Sequence, residues 1–152
     1  MSKYSNPALR AAITAAASGA LYIDKQTFNL AADYGPAALA NGDVLSFAVV
    51  PAGHVLVPHL STVSIPQLDS NGAATATYTL GTADDADVLK GAQDGGAAVA
   101  LGAGELLDVT VGSPDEDVPL LLTLTAPAAT ANVSGAIVAN LVFRAYNADI
   151  DG

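Results

Sequence analysis

From about Thr27 onward, no apolar stretch keeps its period for longer than a short strand before Gly, Pro, Asp or Asn breaks it. "DVLSFAVV" (43–50) sets Leu45, Phe47 and Val49 on one face and Val44, Ser46, Ala48 and Val50 on the other. Pro51-Ala52-Gly53 then reads as a turn, with Pro fixing φ and Gly accepting a positive one. "HVLVPHLSTVSI" (54–65) returns, but Pro58 has no N–H for a ladder, so this strand is expected to bulge or run along an edge. Asp69-Ser70-Asn71-Gly72 is a second turn signal. "AATATYTLGT" (73–82) alternates, with Thr75, Thr77 and Thr79 opposite Ala76, Tyr78 and Leu80. "ADDADVLKGAQ" (83–93) reads as a loop containing one helical turn. "AAVAL", "ELLDVTVG", "VPLLLTLTA" and "SGAIVANLVFRAYN" add four strands, the last with Ile137, Ala139, Leu141 and Phe143 facing one way. With a weaker strand near "QTFNLAA", about eight short strands and no internal helix imply an all-β chain, a single β-sandwich of jelly-roll type.

The N-terminal stretch differs in character. Up to Tyr22 it holds Lys3 and Arg10 and no acid, while every Asp and Glu lies from Asp24 onward. "NPALRAAITAAASGA" (6–20) reads as a short helix with Asn6 as N-cap, Pro7 at the first position and Gly19 as the stop. Its apolar face is thin, so it is marginal alone. Two readings stand for it: a frayed terminus, or an arm that orders against a partner. The expected division is a partly helical arm over residues 1–26 and the β-sandwich domain over 27–152.

Composition narrows the function. The 152 residues suffice for one domain with a substantial core. Absence of Cys excludes disulfides, thiolate zinc sites and thiol nucleophiles. A net charge of −10 argues against nucleic acid and anionic membrane surfaces, which require a surplus of Lys and Arg. No stretch approaches the roughly 20 apolar residues of a membrane-spanning helix. Charged residues make up only 13%, against about 25% in an ordinary soluble domain. With a mean hydropathy of +0.42, that points to surface hidden in an assembly.

Catalytic chemistry is thin. His54 and His59 are the only imidazoles, and regular alternation sends them to opposite faces. Their spacing does not suit a cupin-like metal site, so they read as polar residues near a turn. No Gly-x-Ser-x-Gly elbow occurs. "LGAGELL" (101–107) lacks the third glycine and the βαβ setting of a dinucleotide site. Acids cluster at Asp84, Asp85 and Asp87, at Asp115, Glu116 and Asp117, and at Asp149 and Asp151. They read first as solvated loops, with structural calcium at the 84–87 cluster as the alternative. "NVS" (132–134) matches a glycosylation acceptor, discounted without a secretory signal. The expectation is therefore no enzyme, no cofactor, no metal and no catalytic residue.

Three passages, "ANGDVLSFAVVPAG", "YTLGTADDADVL" and a closing "NLVFRAYNAD", give the chain an order that resembles the capsid decoration, or cement, proteins of tailed bacteriophages. The likeness spans roughly residues 34–147. It implies a structural virion protein, made in the host cytoplasm and bound to the outer surface of an icosahedral shell. There it would bridge neighbouring copies of the major capsid protein against internal DNA pressure and associate with itself as a dimer or trimer. The arm, through Lys3, Tyr4, Arg10, Tyr22 and Lys25, is the expected capsid-binding element, adding main-chain hydrogen bonds to a neighbour's sheet edge. The alternative class is a secreted or surface-exposed binding module for cells or glycans. Against it, Trp is absent and the five Tyr are scattered.

Overall fold

The computed structural model describes residues 3–5, 21–34, 39–102 and 104–151. The helix expected over residues 6–20 lies outside them, as does Arg10. The strands are β1 (Lys3–Ser5), β2 (Tyr22–Asn29), β3 (Val44–Val50), β4 (His54–Leu56), β5 (Thr62–Ile65) and β6 (Thr77–Gly81). They continue with β7 (Lys90–Asp94), β8 (Val99–Leu101), β9 (Val111–Ser113), β10 (Val118–Ala126) and β11 (Ala136–Ala145), and a short helix α1 (Ala148–Asp151) follows.

Two sheets face each other. In the first, β10 lies between β3 and β6, β7 flanks β6, and β1 adds to the outer edge of β3. In the second, β11 lies between β2 on one side and β4 and β5 on the other. β4 and β5 run end to end, broken by a 3-10 turn at Pro58–Leu60, and β9 and β8 run end to end beside them. The interruption falls where proline removes a ladder donor, as the sequence leads one to expect.

Counting each end-to-end pair as one row and leaving β1 aside gives eight rows. The first, eighth, third and sixth form one sheet; the second, seventh, fourth and fifth form the other. All eight pair antiparallel, and this order is that of a jelly roll. Seven of the eight rows coincide with expected strands; β8 and β9, expected as two strands, form one row, and the remaining row, β7, is not among those expected.

The core lies between the sheets. Ile137, Ala139, Leu141 and Phe143 enter it from β11 and are fully buried, matching the alternation of the sequence. β3 departs from it. Phe47 has no partner on β10, because the register jumps there from Leu120↔Ala48 to Leu121↔Ser46. This β-bulge switches the parity of the strand. Leu45, Phe47, Ala48 and Val50 join the core, whereas Val49, which alternation sets on the face of Leu45 and Phe47, is only half-buried. β7 is a second correction: its residues 90–93, read as part of a loop, belong to a strand that pairs with β6. It is a mostly exposed edge strand, with no buried face to imprint an apolar pattern.

Candidate functional site

Residues with any functional claim fall on three parts of the molecule: the N-terminal strands, one end of the sandwich, and the outer face of the sheet built on β11.

The N-terminal strands seal the free edge of β3. β1 pairs with it in parallel, Lys3 opposite Val44 and Tyr4 opposite Leu45. Higher on the same edge, the side-chain amide of Gln26 stands in for a strand. Its Nε2 donates to the Val49 carbonyl at 2.9 Å, and its Oε1 accepts from the Val49 N–H at 2.8 Å. Gln26 is buried, and Asp24 Oδ2 accepts the second Nε2 proton at 3.0 Å. An edge dressed in this way does not template the pairing of another chain.

Tyr22 and Lys25 both lie on β2, but on opposite faces. Tyr22 stands across from Phe143, and its ring meets His54 edge-on with centroids 6.0 Å apart. His54 is buried, its Nδ1 3.1 Å from the Ala52 carbonyl, while Nε2 meets no partner among the described residues. Tyr22 is thus part of the internal packing. Lys25 lies opposite Asn140 and points outward, exposed. His59 is exposed on the 3-10 turn, with Nδ1 3.8 Å from Asp108 Oδ1. The two histidines are not brought together, and no cluster of three or more His, Asp or Glu able to hold a metal ion occurs among the described residues.

One end of the sandwich is acidic. β6 ends at Gly81, β10 begins at Val118 opposite Val50, and β11 ends at Ala145 opposite His54. The loops beyond these points therefore leave by the same end as the 51–53 turn. Hydrogen bonds tie two of them to that turn: Ala52 N–H to Asp117, Gly53 N–H to Ser113 O, and Tyr146 N–H to Gly53 O. All three acid clusters meet here, eight of the fifteen acids of the chain. An open cleft of about 500 Å³ separates the loop carrying Asp84 from that carrying Glu116 and Asp117. Asp87 is pushed above the ordinary carboxylate range by its hydrogen bond to Asp85 and then by the repulsion between them.

The outer face of the β11 sheet has the opposite character. Its outward positions include Ile23 and Lys25 on β2, Asn140, Val142 and Arg144 on β11, and Val55 on β4. No strand residue pointing from this face is acidic among the described residues. Ile23 is 79% exposed and Leu21, just before β2, 57%. Arg144 is neutralised by Asp151, which folds back from α1 to meet it at 2.7 and 2.5 Å. That hydrogen bonding to Arg144 holds the buried Asp151 carboxyl below its ordinary range. A shallow groove of about 510 Å³ runs between Leu21, Arg144 and Ile150.

Charge segregation in the sequence pointed to Lys25. The face around it was not foreseeable, because it depends on which rows become neighbours.

No family model matches the chain, and no curated protein matches it. Solved structures do. A chain in the capsid of Ralstonia phage GP4 superposes with a TM-score of 0.66 at 18% identity, over 93% of this chain and 94% of that one. A chain in the capsid asymmetric unit of cyanophage Pam1 gives a TM-score of 0.55 at 19% identity, over 89% and 94%. At these identities the likeness establishes the shared fold, over nearly the full length of both partners.

Proposed function

We propose that this chain is a structural virion protein, a subunit seated on the outer surface of an icosahedral phage shell. It bridges neighbouring copies of the major capsid protein and holds them against the pressure of packaged DNA. The observation that carries this reading is the near full-length likeness to a chain of the GP4 phage capsid. Two features of the molecule support it. The one buried imidazole, His54, is packed between the rings of Tyr22 and Phe143 as part of the interior. The charge is polarised, with acids gathered at one end and one broad face free of them. On this reading the protein is not an enzyme and works through weak contacts repeated over the shell, where avidity makes small interfaces sufficient.

Lys3, Tyr4, Arg10 and Lys25 remain the proposed contact set of the N-terminal segment, while Tyr22, packed against His54 and the core, would act by holding β2 in place. In the folded chain β1 lies along its own β3. Because that edge is already occupied, self-association by this route means exchange, β1 of one copy taking the place of β1 on the β3 edge of a neighbour, and it is part of the proposal.

The test is co-sedimentation of the purified protein with expanded, undecorated shells of the phage that encodes it. Saturable binding at a fixed ratio to the major capsid protein, with raised heat resistance of the shell, is the expected result. Absence of binding by a folded protein would overturn the reading and turn attention to surface recognition, to be pursued with a glycan screen. Removal of residues 2–22 should abolish binding, and unchanged binding would remove the arm from the interface.

A further inference from the structure

We propose that the outer face of the β11 sheet is the surface that docks on the shell, with Ile23, Leu21 and Lys25 as its anchors. The occupant is a capsid-subunit surface that offers an apolar recess for the two aliphatic side chains and a carboxylate for the lysine. This rests on the reading of the protein as a shell-bound subunit and says which side faces the shell.

The argument begins with what else the molecule could present. Fifteen acids against five cations leave most of its surroundings negative, and seven acids besides the Arg144-paired Asp151 crowd the end beyond Gly81 and Ala145. Desolvating that end against a partner would strand ionised carboxylates without counter-charge, at high cost. The β11 face carries no such penalty. Asp24, between Ile23 and Lys25, alternates to the other face of β2 and accepts from Gln26; Asp151 has a fully buried side chain already joined to Arg144, and Asp108 lies off the strands on the loop before β9.

The same face holds the apolar surface best placed for burial. Leu21 and Ile23 stand out from the β2 side, and Ile150, 72% exposed, borders the groove that Leu21 lines. A large aliphatic side chain fully removed from water contributes about 1.5–3 kcal/mol before ordering costs. Aliphatic anchors flanked by neutral residues match the dry centre of an interface.

Lys25 supplies direction. It is exposed, stands opposite the neutral Asn140, and pairs with no acid among the described residues. The other described cations with side chains in view are engaged: Arg144 with Asp151, and Lys90 with the Glu105 carbonyl at 3.3 Å. A single cation beside two exposed aliphatic side chains on an acid-free face selects a partner with a complementary acid and rejects basic surfaces.

The test uses the full chain and the undecorated shells. Ile23→Ser and Lys25→Glu change exposed side chains, so both variants should fold and melt like the wild type. Each is expected to weaken binding at least about tenfold. Lys25→Arg should retain it, and an acidic-end variant with Asp84, Asp85 and Asp87 all changed to Asn should bind as the wild type does. If the wild type binds while Ile23→Ser and Lys25→Glu bind equally well, this face is not the interface, although the shell-bound role stands. If the wild type does not bind, the role itself falls and the assignment with it. Sedimentation velocity separates a further occupant: if Ile23→Ser dissociates an oligomer without loss of shell binding, the face joins copies of this chain and the proposal is overturned.

Discussion

Asp69 shows how much one side chain can organise. It is fully buried, and five backbone N–H groups converge on its carboxylate: those of Asn71 and Thr130 on Oδ1, and those of Thr75, Ala76 and Ala129 on Oδ2. Two loops distant in sequence, 69–76 and 127–131, are thereby fastened to one another. Burial pushes the pKa up, but the N–H groups of Thr130, Ala129, Thr75 and Asn71 outweigh it and hold it well below the ordinary range near 4. The sign of the linkage follows. While the unfolded chain also carries an ionised Asp69, at pH above about 4, the full stabilisation is present. As pH falls below that value, the unfolded state takes up a proton that the native state refuses, and stability is lost. Asp69→Asn should melt below the wild type at neutral pH, because an amide presents one acceptor oxygen where two are used. Its melting temperature should also fall less steeply than that of the wild type between pH 4 and 2, measured by circular dichroism at fixed ionic strength. Parallel slopes would mean that another carboxylate governs the acid limb.

At the scale of elements, β3 carries the sharpest test of the fold. Strict alternation puts Phe47 and Val49 on one face; the bulge at Phe47 puts Val50 in the core and leaves Val49 half out, its backbone gripped by Gln26. Threonine matches valine in shape but adds a hydroxyl. Val50→Thr should therefore cost about 1–3 kcal/mol for a hydroxyl buried without a partner. Val49→Thr should cost less than about 0.5 kcal/mol. Urea titrations at pH 7 decide it, and the reverse order would place the bulge elsewhere. β3 also marks how far the sequence could be read. β10, β11 and the Pro58 break were legible because each has one buried face or one residue that forbids a ladder bond. β7 was not, since an edge strand exposed on both sides carries no period. The bulge was not either: one extra residue leaves no local signature and becomes visible only when β10 fixes the register opposite it. The site followed the same rule. Lys25 stood out through local charge segregation, whereas the acid-free face exists only once β2, β11 and β4 are adjacent.

At the scale of the whole molecule, the jelly-roll order converts three scattered acid clusters into one pole. In sequence the 84–87, 115–117 and 149–151 clusters are separated by whole strands; in the fold their loops share one end, and those after Val111–Ser113 and Ala145 are hydrogen-bonded to the 51–53 turn. Folding therefore concentrates charge that the unfolded chain disperses, and the native state bears the larger repulsion. Asp87, raised by its hydrogen bond to Asp85 and the charge of that neighbour, is the local sign of this crowding. Because most of these groups are solvated, all but the Arg144-paired Asp151 and the half-buried Asp117 being exposed, salt reaches them: the screening length shrinks from about 30 Å at 0.01 M to about 8 Å at 0.15 M. Raising NaCl across that interval at pH 7 should raise the melting temperature by roughly a few degrees. The variant with Asp84, Asp85 and Asp87 changed to Asn should start higher at low salt and respond less. A wild type indifferent to salt would mean that the loops already hold their charges apart, so that the pole adds no strain to the folded state. The expected result ties stability to orientation, since a protein that crowds its acids at one end has to approach an anionic partner by another side, and the β11 face is the side left free of them.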